Sequence, residues 1–348
     1  MSILRNSIKL LRDPVDSTKQ FIQIDYKFQV SPFIAFRPEL SNHLLGRSTS
    51  LALYKRLKKR NLLESFHTKI TEGMMAGHSM YMTPAKAAEL DKLPKYFCSL
   101  NFVQKNSALV KKVRPTSNFS APHPSGSFNL LAVNRPSILN SAKKVLLKFF
   151  QYSTAITADI STAYRALYIS KLSQSLSRFF WCSNPDDPNT MTECCWLRAT
   201  YGSAPTSIFM EIALREQVGG ATDDEEVKEL LNDSRFVDDL CASDHNPTRL
   251  VANMKSYIDI CAKFGFTHGE VSSTNNIYEG TEQNQVRTLL GIEWNPALDV
   301  WRPNSEWNVS AKIRGIYKDR SVKEMSNDDL ENLEVTKDPP QPSARADP

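Results

Sequence analysis

Three aspartates stand in positions that could do chemistry. Asp159 closes the short apolar run Thr154-Ala-Ile-Thr-Ala-Asp-Ile160, and Asp238-Asp239 is bracketed by apolar residues in Phe236-Val-Asp-Asp-Leu240. A buried strand that delivers a side chain to a site reads like the first. Neighbouring side chains of a strand point to opposite faces, so two adjacent acids reach one place only at a turn. The second segment therefore predicts a hairpin with the acids at its tip. Burying carboxylates without a partner is costly, and a metal ion is the natural counter-charge. Hard divalent cations take oxygen ligands, often one or two carboxylates completed by phosphate and water. Two such ions about 3.5–4 Å apart serve phosphoryl transfer. A plain structural turn is the competing reading of the pair, and the pattern alone leaves both open. The other acid pairs, Asp186-Asp187, Asp223-Asp224 and Asp328-Asp329, lie in polar surroundings and read as solvated loops.

The elements that would position these acids follow from periodicity and turn residues. Residues 1–48 look irregular. Residues 50–71 read as a basic helix, with Leu51, Leu53, Leu57, Leu62 and Leu63 among Lys55, Arg56, Lys58, Lys59 and Arg60. A second helix is expected from an N-cap at Thr83 with Pro84 first inside. Residues 96–113 read as two strands around a turn near Lys105-Asn106, residues 115–136 as a loop, and 141–151 as a helix. After the Asp159 strand, a helix is expected over 161–176, a strand over 196–200 and a helix over 203–218. An acidic connector is expected over 221–233, then the hairpin and a helix over 250–264. A final strand pair surrounds Asn295-Pro296.

Charge divides the chain. Residues 1–150 carry 24 Lys and Arg against 8 Asp and Glu, a net of +16, whereas the rest sums to −11 of an overall +5. A basic half beside an acidic half suits a polyanion held next to cations. The six cysteines form no C-x-x-C pair, so neither a zinc site nor a disulfide framework is indicated, and buried reduced thiols are expected. No run of about 18 apolar residues exists to span a membrane. Residues 1–27 lack the apolar stretch of a secretory signal, so an intracellular location, cytoplasmic or nuclear, is expected.

Taken in order, these segments resemble the motifs of reverse transcriptases, most closely those of BEL/Pao-type LTR retrotransposons. Asp159-Ile-Ser-Thr-Ala-Tyr164 resembles motif A. Tyr201-Gly202 with Ser207 and Phe209 resembles motif B, and Phe236-Val-Asp-Asp resembles motif C. Residues 265–275 fall where motif D should be, and Leu290-Gly291-Ile-Glu-Trp294 resembles motif E. Lys111-Lys-Val-Arg114 looks like the fingers segment that holds a triphosphate. The resemblance covers roughly residues 50–315.

The resemblance implies an α+β right-hand polymerase fold, with fingers, an antiparallel palm sheet and a thumb truncated or absent. It implies an N-terminal extension over 1–48, a basic fingers region over 49–150, a palm over 151–315 and a disordered tail over 316–348. The implied activity is RNA-directed DNA polymerisation, nucleotidyl transfer to a primer 3′-OH. Asp159, Asp238 and Asp239, with the Ile160 carbonyl, would hold two Mg²⁺ ions, which Mn²⁺ could replace. Lys111, Lys112 and Arg114 would meet the triphosphate. Tyr164 would exclude a 2′-OH, and Gly202 would let the backbone approach the template or nucleotide. The expected partners are an RNA or DNA template with primer and dNTPs, with no membrane. The chain is expected to be a fragment of a retroelement polyprotein or a degraded copy. Thr206-Ser207 stands where motif B usually has Ser-Pro, and Gly269-Glu270 where motif D usually supplies a Lys. These departures support the alternative reading, a weak or inactive relic that binds nucleic acid. A viral RNA-dependent RNA polymerase is disfavoured by Val237 and Tyr164.

Overall fold

A computed structural model describes residues 2–106, 111–134, 138–161, 163–278 and 286–303, with backbone alone at 105, 106, 111, 112 and 303. The tail read over 316–348 lies outside the described residues. Strands and helices mix in one α+β arrangement whose sheets are almost wholly antiparallel.

The central sheet has four antiparallel strands in the order Arg235–Phe236, Asp239–Asp244, Thr154–Ile160, His268–Ser273. Alternation sorts its two faces. Ile156, Ala158, Ile160, Leu240 and Ala242 look into the main core, which runs from Leu4 to Phe266 in the sequence. There they pack with the helices Thr206–Ile212 and Pro247–Lys263, which bury Phe209, Met254 and Tyr257 completely. On the opposite face Ala155 and Cys241 join Val145, Phe149, Leu289 and Trp294 in a second, smaller core. The helix Ala142–Phe149 and the strands Arg287–Leu289 and Ile292–Asn295 supply its cover. Thr157, Asp159 and Asp239 belong to this same face, and the two acids lie at its end.

Several elements differ from the sequence reading. The first 48 residues contain a hairpin, Ile8–Arg12 with Gln20–Ile24, and the latter strand pairs in parallel with Leu167–Ile169. Ile22 and Ile24 are buried completely. That parallel pairing also explains why 161–176 is not one helix. It is a turn of tight helix, Ala163–Ala166, the strand, and a short helix, Lys171–Ser175. The basic helix is two, His43–Lys59 and Leu63–Met75, parted at Asn61, whose φ of +53° only residues such as Asn adopt readily. The strand expected over 196–200 lies earlier, at Met191–Trp196, and pairs with Arg178–Cys182. The acidic connector is a helix, Glu225–Asp233, because Asp224 caps it through the Glu226 and Val227 amides and Val227 and Leu231 are buried. The helix after residue 203 forms as Thr206–Ile212 and widens over Ala213–Val218. The strands read over 96–113 run longer, as Ser99–Asn106 and Lys111–Asn118. The cap at Thr83 accepts from the Lys86 amide as expected.

All six cysteines are free and buried. No helix among the described residues is long and apolar enough to cross a membrane.

Candidate active site

The hairpin brings the aspartates together. Asp239 pairs directly across from Asp159 in the antiparallel ladder, and the Ile160 amide donates to the Asp238 carbonyl at 2.9 Å. Directly opposed residues carry their Cβ atoms about 4.5–5.5 Å apart on one face. Val237 and Asp238 form the two-residue turn between Phe236 and Asp239. A turn with positive φ at its first central residue normally takes Gly there. Here Val237 holds φ at +57°, a strained conformation for a β-branched residue.

Electrostatics at the tip is unfavourable without a cation. Burial pushes the Asp238 carboxyl up, and Asp159 adds to the shift. Asp239 is pushed up to about 6, first by burial and then by Asp238 and Asp159. Like charges this close resist joint ionisation. Among the described residues, no group of three Asp, Glu, His or Cys side chains is arranged to hold a metal ion by itself.

A second cluster braces the turn from behind. Arg235 is fully buried and donates to the Val237 carbonyl at 2.5 Å, to Glu211 Oε2 at 2.8 Å and to the Leu231 carbonyl at 3.4 Å. Glu211, itself 1% exposed, also accepts from Arg215 at 2.5 Å. Arg215 then reaches Asn140 Oδ1, and the Asn140 amide donates to the Asn232 and Arg235 carbonyls. The turn bearing Asp238 is thus tied to the helix Thr206–Ile212 through side chains that the sequence reading did not single out. A Glu inside the apolar stretch Ser207-Ile-Phe-Met-Glu-Ile-Ala213 was the available signal, since a wholly buried Glu needs a cationic partner.

The remaining site residues surround this tip. Tyr164 is half-buried, its hydroxyl is pushed up to about 12 by burial and then by Asp238, and its ring meets that of Tyr201 at 4.8 Å. The Tyr201 hydroxyl is also raised, by burial first and then by Asp238, with Arg165 and Arg114 opposing. Arg114 is exposed on the strand Lys111–Asn118, within the electrostatic reach of Tyr201. Lys111 and Lys112 lie on the same strand, and their side chains fall outside the described residues. The Ile160 side chain points into the main core.

Two glycines mark close approaches. Gly202 has φ +98°, and a Cβ there would come 1.8 Å from the Ser117 carbonyl oxygen. The residue that demands a glycine is thus a neighbouring strand of the protein itself. Asn129 fixes the contact by donating to the Gly202 carbonyl and accepting from the Ala204 amide. Gly269 lies against the acids, where a Cβ would meet Asp159 Oδ1 at 2.6 Å. A side chain at 269 would displace the carboxylate. Its neighbour Glu270 forms an ion pair with Arg287.

No protein-family model matches the chain, and no curated protein is similar to it at a significant level. Among solved structures it is similar to the foamy viral protease–reverse transcriptase dRH in complex with double-stranded DNA, at 13% identity and a TM-score of 0.47, covering 74% of this chain and 37% of that one. It is similar to the foamy viral enzyme in complex with an RNA/DNA hybrid, again at 13% identity and 0.47, covering 75% and 28%. For the foamy viral enzyme in complex with double-stranded DNA the values are 14%, 0.47, 74% and 44%. The chain spans less than half the length of each.

Proposed function

We propose that this chain is a reverse-transcriptase-type polymerase domain of a BEL/Pao-like retroelement, transferring deoxynucleotides to a primer 3′-OH. The observation that carries the reading is the register that sets Asp239 opposite Asp159 with Asp238 in the adjoining turn. In this reading Asp159, Asp238 and Asp239 hold two Mg²⁺ ions, assisted by the Ile160 carbonyl. When bound, those ions supply charge neutralisation and activation of the attacking and leaving oxygens. Arg114, with Lys111 and Lys112, binds the triphosphate, Arg offering a bidentate fork. Tyr164 lies under the sugar and leaves no room for a 2′-OH. Gly202 shapes the turn that faces template and nucleotide. Residues 49–150 act as fingers and 151–315 as palm, after an extension over 1–48, and a template with its primer lies along the basic half.

That half presents an exposed basic surface of the kind that holds a phosphate backbone. Lys55, Arg56, Lys58, Lys59 and Arg60 are exposed on and just after the helix His43–Lys59, and Arg56 and Arg60 lie 5.3 and 5.7 Å over the Phe102 ring. Template affinity should fall with salt, log K dropping by about 0.9 per phosphate neutralised. A second reading, a relic that binds nucleic acid without catalysis, draws on Thr206-Ser207 and Gly269-Glu270, which depart from motifs B and D. Primer extension on RNA and DNA templates separates the two. The proposal expects Mg²⁺-dependent dNTP addition, and rNTP addition once Tyr164→Ala is introduced. Template binding with no extension by folded protein in Mg²⁺ or Mn²⁺ supports the relic.

A further inference from the structure

The turn that carries Asp238 has one loose joint. After it the backbone is fixed, because the Asp238 carbonyl accepts from the Ile160 amide at 2.9 Å. Before it Phe236 is paired with Asp239 in the ladder. Between these points lies the Val237–Asp238 peptide, the central unit of a two-residue turn. Val237 has positive φ and Asp238 does not, the pattern of a type II′ turn. Turning that one peptide over gives type I′, with positive φ at both residues. Asp tolerates positive φ, and Val is strained in either form. Local preference therefore leaves the choice of turn open.

Arg235 closes it. Its Nη1 donates to the Val237 carbonyl, the oxygen of that central peptide, at 2.5 Å. Turning the peptide over would carry this oxygen away from the guanidinium. Arg235 Nη2 donates to Glu211 Oε2 at 2.8 Å, so one planar fork spans the turn and the helix Thr206–Ile212. Glu211 is fixed as well. Its Oε1 accepts from Arg215, Arg215 donates to Asn140, and Asn140 donates to the Arg235 carbonyl at 2.7 Å. The ring of contacts closes on the residue where it began, with Arg235 and Glu211 both buried. A strained residue such as Val237 persists only where its surroundings over-determine it, and this ring does so.

We propose that Arg235 and Glu211 are positioning residues of the aspartate site: Glu211 orients the guanidinium, and the guanidinium selects the turn type that aims the Asp238 carboxylate toward Asp159 and Asp239. Resting on the metal reading above, this role reaches beyond bracing the fold. A turn of the other type misplaces one ligand of the cations and leaves the nucleotide contacts of Arg114 and Tyr164 intact.

The test is single-nucleotide incorporation by the full chain. Mn²⁺ binding with dNTP and primer–template present, followed by electron paramagnetic resonance, and urea unfolding are measured alongside. Arg235→Lys keeps the charge and loses the fork. It should lower kcat roughly tenfold or more, as a displaced catalytic group does, and leave KM for dNTP within about twofold. Mn²⁺ binding should weaken in parallel. Glu211→Gln keeps the shape and one acceptor oxygen, and should lower kcat several-fold. The decisive variant adds Val237→Gly to Arg235→Lys. Glycine first in the turn favours type II′ by itself, so most of the lost kcat should return while most of the stability lost with the fork does not. Where Arg235→Lys does not fold by circular dichroism, Glu211→Gln with and without Val237→Gly takes its place. Unchanged kcat in the folded variants, a loss carried by KM, or activity that returns only with stability overturns the positioning role. Where wild type binds Mn²⁺ without extending a primer, the affinities decide in the same way. Wild type that does neither removes the metal site and this role with it, whereas active wild type with unaffected variants removes this role alone.

Discussion

Two charged clusters share one hairpin and are built on opposite principles. Behind the turn, buried Arg235 and Glu211 form a hydrogen-bonded ion pair that the half-buried Arg215 joins. In front of it, Asp159, Asp238 and Asp239 are gathered with like charges opposed and no cation among the described residues within ion-pair distance. A fold can satisfy its charges internally, as the first cluster does. Leaving three carboxylates unmatched on the same strands makes sense where a ligand completes them.

Removing the matched cation should produce the largest effect. Arg235→Ala leaves Glu211 buried with one partner and frees the Val237 carbonyl, and should cost about 3–5 kcal/mol in urea unfolding. A cost below about 1 kcal/mol would erase the distinction between the clusters.

The second effect is a pH dependence confined to the front cluster. A carboxyl whose folded value is raised favours the fold when protonated. For Asp239 that contribution is present below its ordinary value of 3.8 and is lost as pH rises through about 6. Cation-free protein should lose about 2 kcal/mol over this window, since the roughly two-unit shift at about 1.4 kcal/mol per unit is reduced by solvent screening of a carboxyl that stays partly exposed. Millimolar Mg²⁺ at pH 7.5 should restore part of it by binding the folded state alone. Thermal melts across pH, with and without Mg²⁺, read both, and a profile that Mg²⁺ leaves untouched would break the comparison.

Neutralising one acid should act in the same sense and by less. Asp238→Asn should raise the cation-free stability at pH 7.5, because burial and Asp159 hold the Asp238 carboxyl above its ordinary range, while abolishing nucleotide addition. A stabilised variant that remained fully active would remove Asp238 from the site. The smallest effect is expected at Val237→Gly. It relieves a positive φ worth roughly 1–2 kcal/mol and adds chain entropy to the unfolded state, for a net gain near 0.5 kcal/mol.

The two clusters also differ in how far the sequence disclosed them. The front one was legible because local rules governed it. An apolar run ending at Asp159 and apolar brackets around Asp238-Asp239 predict a strand and a hairpin, and both form. The rear one depends on Glu211, Arg235 and Asn140 meeting across the fold, and no period records such a meeting. Distance in sequence hid the rest as well. Gln20–Ile24 finds its partner strand at Leu167–Ile169, so the first 48 residues read as irregular and 161–176 as helix. Gly202 read as room for a ligand, whereas the nearest obstruction is the Ser117 carbonyl of a strand far away in the chain. In the sequence Gly269 stands out only for the Lys it replaces, and its close approach to Asp159 depends on how the strand His268–Ser273 packs.

The direct test of the account is a Mn²⁺ titration followed by electron paramagnetic resonance, with wild type and Asp159→Asn compared. Wild type should bind Mn²⁺ weakly alone and at least tenfold more tightly with dNTP and primer–template present, because phosphate oxygens complete the shell that the aspartates begin. Asp159→Asn, folded by circular dichroism, should lose that enhancement. Binding that nucleotide leaves unchanged, or that survives the loss of Asp159, would contradict the assignment of these carboxylates as the metal site.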